Sequence, residues 1–383
     1  MVPRIVGYIA SFRSGVARQR RKLADEVETR EVVIVGGGAM GASVAWHLRE
    51  HGIEDVVLLE RDSLAAGSTS RSAGGIRTQF SDELNIRIAL RSLVEFERMD
   101  GIDLRRYGYL FLLDRAEDVG VFREALALQH RLGVPSRELT IEEALEIVPQ
   151  LDPDGLLTAT YCELDGYASP ESVVQWYARG IDVRQGCEVT GIRVEGGRIA
   201  GVETTKGAFS CGTVVCCAGV WSRDVGAMAG VELRVEGERR WMWFCPEDGG
   251  LPERLPLTID FTTSFYFHRE GPGLVFGGKE QSLEEVAEHA ARRLPVLVDL
   301  PVQSSWWGYY EVSPDHNALV GRTAEPEGFY YATGFSGHGF QQAPAVGEHL
   351  AELVAGREPT LDLSAFDAAR FARGAARPET FVV

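Results

Sequence analysis

Lysine is almost missing from this chain: among 39 basic residues only Lys22, Lys206 and Lys279 are lysines, and the rest are arginines. Positive charge is short as well, with 56 Asp and Glu setting the net charge at −17 over 383 residues. An acidic protein repels phosphate backbones and anionic membrane faces, which excludes a nucleic-acid-binding role. Cysteine spacing is lacking too. The six cysteines (Cys162, Cys187, Cys211, Cys216, Cys217 and Cys245) include no Cys-x-x-Cys pair, so neither a metal site nor a disulfide framework is expected. Buried thiols in a reducing cytoplasm are the expected state. A secretory pattern is not found, because the short apolar run at 5–12 precedes its basic cluster instead of following it. Residues 32–48 carry no Asp, Glu, Lys or Arg, but three successive glycines inside that run argue against a membrane span.

Glycine is what the chain has in excess: 43 residues, where average usage of about 7% predicts about 27. At roughly 150 residues per domain the length fits two to three domains or one elaborate α/β unit. Residues 1–30 read as an extension with a helix over 12–29. Periodicity then predicts a strand at 31–36, a helix at 39–51 and a strand at 55–60, a βαβ opening. Helices follow at 81–100, 117–132, 140–147 and 170–180. Strands follow near 187–194, 198–205, 207–210 and 213–217, with Gly196-Gly197 closing a hairpin. The stretches 234–245, 255–268 and 273–278 alternate aromatic and polar residues as strands of a mixed sheet do. A helix at 281–293, strands at 303–312 and 328–333, a Gly-rich loop at 334–339 and a helix at 340–355 complete the pattern. Because βα signals sit at both ends with aromatic strands between, the nucleotide-binding part is expected to be discontinuous. It takes 31–100, 170–233 and 313–365; a substrate domain takes 101–169 and 234–312, and 366–383 reads as a tail.

Val32-Val33-Ile34-Val35 runs directly into Gly36-Gly37-Gly38-Ala39-Met40-Gly41, a G-x-G-x-x-G at a strand-to-helix junction. Gly36 permits the tight turn, Gly38 lets backbone approach a pyrophosphate, and Gly41 allows close helix–strand packing, with Ala39 and Met40 opening the helix. Glu60 ends the second strand 19 residues past Gly41, placed to accept from a ribose hydroxyl. Beyond it, Gly67-Ser68-Thr69-Ser70-Arg71-Ser72-Ala73-Gly74-Gly75 offers small and hydroxyl side chains to a dinucleotide.

With these residues, the segment 214–222 containing Ala218, Gly219 and Trp221, and the segment 333–340 containing Gly334, Gly337, His338, Gly339 and Phe340, the chain resembles the flavin-dependent amine and amino-acid oxidoreductases. That is the family of glycine oxidase, sarcosine oxidase, the β subunit of proline dehydrogenase and D-amino-acid oxidase. The likeness spans about residues 30–360. It implies an α/β fold: a discontinuous Rossmann-type FAD-binding domain, and a second substrate domain on a mixed, largely antiparallel β-sheet. By the likeness Glu60 and Arg61 meet the adenosine ribose, Ser68, Thr69 and Ser70 the pyrophosphate and ribityl region, and Val189 the adenine. Ala218 and Gly219 pass beneath the phosphates, and the 334–339 loop follows the flavin edge into a helix carrying Gln341. Gly308 stands where one branch ties its flavin to cysteine, and Pro170 where another holds FMN through histidine. FAD is therefore expected to be non-covalent.

The family oxidises a C–N bond by hydride transfer to flavin N5, and the imine product hydrolyses. Positioning supplies most of that rate gain, so His338 is expected to hydrogen-bond or pack and not to act as a base. Arg77 aligns with an arginine that grips a substrate carboxylate, a task its fork suits; Gln341 replaces a second cation there. Tyr266, Trp307, Tyr309 and Tyr310 are expected to form the pocket with Arg77, favouring an alkylated amine. Lys279 lies slightly past the place of the oxygen-activating lysine, nearer Val275, so the electron acceptor stays open. The first reading is an oxidoreductase of secondary (N-methyl or cyclic) or primary amino acids. The alternatives are a D-amino-acid or 2-hydroxy-acid oxidoreductase, and a non-catalytic flavoprotein subunit or assembly factor. The partner is a small-molecule amine or amino acid, with no nucleic acid and no membrane span. A homo-oligomer or a heteromeric partner subunit is left open.

Overall fold

The first strand pair of the nucleotide-binding part shows how the chain is layered. Val32–Val35 and Val56–Leu59 are buried at every residue, the mark of parallel strands covered on both faces. They sit inside a six-stranded sheet whose order is Leu319–Arg322, Phe329–Thr333, Thr213–Cys216, Val32–Val35, Val56–Leu59 and Asp182–Arg184. Only the outermost pair, 319–322 with 329–333, is antiparallel. Alternation along Val32–Val35 sends Val32 and Ile34 toward the helices Ala39–Glu50 and Gly339–Val354. Val33 and Val35 point instead at Val189, Val202 and Phe209 of a small four-stranded sheet. A parallel sheet wrapped this way opens its ligand crevice at the carboxyl ends of its strands.

In the computed structural model, residues 27–381 are described. The helix expected over 12–29 lies outside them except at its end, where Val27–Thr29 is instead a strand, parallel to Gly207–Ser210. Arg30 explains that placement, since it bridges Asp55 at 3.0 Å and Asp182 at 2.8 Å and fastens the chain to the sheet edge.

The second layer is an eight-stranded sheet, ordered Ser304–Val312, Glu236–Cys245, Gly273–Gly277, Phe265–Glu270, Leu257–Asp260, Tyr109–Leu113, Thr158–Cys162 and Arg137–Leu139. Only the 257–260 and 109–113 pair is parallel. Trp243, Phe265, Phe267 and Phe276 pack one face against the helix Leu283–Arg293 through Val286 and Ala290. Met242, Tyr266 and Val275 take the other face. The stretch 255–268 is thus two strands, not one, broken at Ser264, whose φ of 62° turns the chain back. Residues 109–113, Tyr-Leu-Phe-Leu-Leu, carry no period-2 signal because all five are buried, which is why periodicity passes over this strand.

Residues 366–381 are not a loose tail. Phe366 and Phe381 are fully buried, and Phe381 stacks on Phe122 with centroids 4.1 Å apart. Arg370 forms a buried ion pair with Asp315 at 2.7 Å. Such a pair holds only while both partners stay in place, so this segment is part of the fold.

Candidate functional site

A cavity of about 770 Å³ runs from the carboxyl ends of the two central parallel strands to the eight-stranded sheet, within the usual range for small-molecule sites. Its first end is made of bare backbone. Gly36 has φ of +111°, and a Cβ there would strike the Cys217 carbonyl; a Cβ on Gly41 would strike the Gly36 carbonyl. Glu60 accepts the N–H groups of Gly37 at 2.8 Å and Asp62 at 2.7 Å, which locks the acid beside the glycine turn. At the start of the helix Ala39–Glu50 the cap residue Gly38 has no side chain, and the Ala39 N–H is given to Thr69 Oγ1 at 3.1 Å. A helix start facing a cavity favours an anion there. Glycine turn, helix start and acid together fit the pyrophosphate and ribose of FAD.

All the residues expected to meet the cofactor line this cavity except Gly41, Ser70 and Gly334. Gly41 serves the packing just described. Ser70 lies in a short 3-10 turn, its N–H given to the Ala65 carbonyl at 3.1 Å. At Gly334 the Leu319 side chain fills the space a Cβ would need, so this glycine shapes the loop from behind. Arg61 lies flat over Trp221, 3.8 Å from the ring centroid, and Ser68 Oγ donates to the Tyr309 carbonyl at 2.6 Å, joining the two layers.

The second end is made of side chains. Tyr266, Met242 and Tyr310 rise from the floor, and Tyr109 fills the space beside Gly75 where a Cβ would collide with its hydroxyl. Glu238 pairs with Tyr310, Arg240 with Gly308, and Met242 with Trp306. Residues directly opposite share a face, so Tyr310 stands with Met242 and Tyr266 while Trp307 and Tyr309 point to the other side. All reach the cavity because Ser304–Val312 is the edge strand. The four expected aromatic residues therefore split into two pairs: Tyr309 meets Trp221 at the cofactor end (6.2 Å) and Trp307 meets Arg239 (4.7 Å).

Arg77 lines the cavity but is not free to grip a carboxylate. Its side chain is buried and donates to the carbonyls of Gln79 and Phe381, and its Nη2 faces His338 Nε2 at 2.9 Å. Its own N–H goes to Gln341 Oε1 at 2.7 Å. Burial holds the His338 imidazole well below its ordinary range, and the Arg77 charge adds to this. A neutral ring accepting from Arg77 at Nε2 carries its proton on Nδ1, so its lone pair is already used. Glu311, set in the cavity wall, accepts from Thr333 Oγ1 at 2.9 Å; burial pushes its carboxyl up to about 7. Lys279 does not reach the cavity.

Among the wall residues that escaped sequence reasoning are Arg240, Met242, Tyr109 and Glu311. The signal for the first two was present, since 234–245 alternates and Trp241 and Trp243 mark the opposite face. Which face met the cavity was not written there. Among the described residues no cluster suited to a metal is found, and no helix is long and apolar enough to cross a membrane. All six cysteines are free and buried.

A Rossmann-type cradle opening onto an antiparallel sheet floor defines a two-layer flavoprotein oxidoreductase. The chain belongs to the FAD dependent oxidoreductase family, which it matches over residues 31–353. It is 30% identical to mitochondrial sarcosine dehydrogenase of Homo sapiens, over 90% of this chain and 41% of that protein. It is 32% identical to FAD-dependent oxidoreductase domain-containing protein 1 of Xenopus laevis, over 90% of this chain and 83% of that one. The chain thus spans about two-fifths of the sarcosine dehydrogenase it resembles. The crystal structure of L-proline dehydrogenase from P. horikoshii superposes with a TM-score of 0.86 at 33% identity, covering 92% of this chain and all of that one.

Proposed function

We propose that the protein oxidises the C–N bond of an amino acid, preferring secondary amines, N-methylated or cyclic, with FAD held non-covalently. The observation that carries this is the floor of Tyr266, Met242 and Tyr310 continuing from the dinucleotide cradle as one cavity. The names of the relatives, sarcosine dehydrogenase and L-proline dehydrogenase, support a secondary amine. Bound flavin would supply the hydride acceptor. The chain's own part is to hold the amine in line and keep water out. With the His338 lone pair occupied, no side-chain base is invoked, and the amine must arrive neutral. Gly308 offers no attachment atom, and burial keeps the Cys217 thiol on the cavity wall protonated, which supports a free cofactor.

Anaerobic titration of the holoenzyme with sarcosine, proline, glycine and D-alanine tests the reading. Bleaching of the flavin band by the first two before the others is expected; no bleaching by any amine would overturn it and favour a structural flavin. Acid precipitation should release yellow flavin into the supernatant, and flavin retained in the pellet would show a covalent bond. With Lys279 off the wall and Val275 buried in its strand, we assign dehydrogenase over oxidase chemistry, and stoichiometric peroxide on aerobic turnover would reverse that assignment.

A further inference from the structure

Glu311 stands half-buried on the cavity wall, in the edge strand Ser304–Val312, and what faces its carboxyl is neutral. Its neighbours are the Thr333 hydroxyl, the N–H groups of Gly334 and Phe335, and the thiols of Cys216 and Cys217. Burial keeps both thiols protonated, the first pushed up to about 11. No basic side chain is among the groups that act on the Glu311 charge. Burial without a counter-cation is what lifts this carboxyl to about 7.

Thr333 Oγ1 lies 2.9 Å from Glu311 Oε2 and 3.1 Å from the Gly219 carbonyl. A hydroxyl has one proton to give. With Glu311 ionised, Thr333 spends it on the carboxylate and gives the Gly219 carbonyl nothing. With Glu311 neutral, the carboxyl donates to Thr333, Thr333 donates onward to Gly219, and all three groups are served. The Gly219 turn adjoins the cofactor cradle. Gly219 has φ of +57°, a Cβ there would sit 3.7 Å from Glu311 Oε2, and two residues earlier the Cys217 carbonyl packs on Gly36.

A dinucleotide pyrophosphate brings negative charge into this cavity, and a carboxylate on the same wall opposes it unless it gains a proton. We propose that Glu311 takes a proton from solvent when FAD binds, and that its neutral carboxyl then supports the Gly219 turn through Thr333. Glu311 is thus a positioning residue whose protonation is linked to the cofactor, and no bond of the cofactor changes. By linkage the proton favours FAD as much as FAD favours the proton. On the same wall, His338 stays neutral and Cys217 stays protonated through neutral pH, so neither gives this dependence. The proposal rests on the FAD assignment and not on the choice of amine.

The test dilutes the holoenzyme until FAD partly dissociates and reads the free flavin by its fluorescence between pH 5 and pH 8. FAD itself has no group that titrates in that interval. Wild-type affinity should be level below about pH 6 and fall about five- to tenfold by pH 8, because above its own value Glu311 must gain a proton for each FAD bound. E311Q should stay level, since its amide is neutral throughout. In weak buffer at pH 8, FAD added to the diluted protein should draw protons from solution with the wild type and none with E311Q. A loss of packing alone does not move that readout. Parallel profiles for the wild type and E311Q, or no proton uptake by the wild type, would overturn the proposal. Should E311Q fail to fold, T333V carries the test. The hydroxyl it removes supports the ionised form most strongly, so the fall in affinity should begin at higher pH, and an unchanged profile overturns the proposal. Flavin binding is read here without substrate, so a flavin that no amine bleaches sinks the amine reading and leaves this test intact.

Discussion

The two ends of the cavity are built from different material. At the cofactor end the working surface is backbone: Gly36, Gly38 and the start of the helix Ala39–Glu50, with Glu60 and Thr69 fastening them. At the substrate end it is side chains on a sheet floor: Tyr266, Met242, Tyr310 and Arg240. A backbone surface tolerates almost no change, since any Cβ occupies the space the ligand or the neighbouring strand needs. A side-chain surface can be altered one group at a time with the scaffold intact. Substitutions at the first end should therefore remove the cofactor, and substitutions at the second should change only what is bound beside it.

Gly36→Ala should produce the largest effect. The new Cβ meets the Cys217 carbonyl at a φ of +111°, two backbone faults at once, and a loss of about 3 kcal/mol or more is expected. The purified variant should carry little flavin and melt well below the wild type; a normal flavin-to-protein ratio would break the comparison. Tyr266→Ala should follow, with KM for the best amino acid raised about tenfold or more and the flavin content unchanged. Loss of flavin from that variant would mean the two ends are not separable.

The smallest effect concerns Glu311, at the boundary between the ends. Its carboxyl is pushed up to about 7 from an ordinary 4.5, so between those values the folded protein keeps a proton that the unfolded chain has released. Stability from this group is therefore full below about 4.5, falls as pH rises to about 7 and is level beyond it. Denaturant unfolding of flavin-free protein at pH 5 and pH 8 should show the wild type losing more than Glu311→Gln across that interval. Equal losses would place the carboxyl in solvent.

The difference between the ends also explains what could be read in advance. Val32–Gly41 and Glu60 could be placed because a strand, a glycine turn and a helix are contiguous, and each residue's task depends on near neighbours. The same holds for the helices 83–96 and 116–131, whose apolar spacing is local. Tyr109–Leu113 could not be assigned, because a strand buried on both faces loses its alternation. Residues 366–381 looked like a tail because a single Phe at 381 says nothing of the Phe122 ring waiting for it.

Arg77 and Arg240 put the lesson most sharply. The resemblance gave Arg77 a carboxylate to grip and said nothing of Arg240. Contacts from 261 and 304 residues away, with His338 and Phe381, occupy Arg77, while the register of 236–245 against 304–312 turns Arg240 to the cavity.

By itself, then, the sequence determined that this protein has a dinucleotide turn, a family and an acidic surface with no metal spacing. These follow from composition and from contacts a few residues apart. Only the tertiary structure decided which aromatic rings share the floor, that the Arg77 side chain is spent on its neighbours, and that the last described residues close the fold. A side chain's face depends on strand register and its freedom on distant acceptors, and neither is encoded within reach of a local pattern.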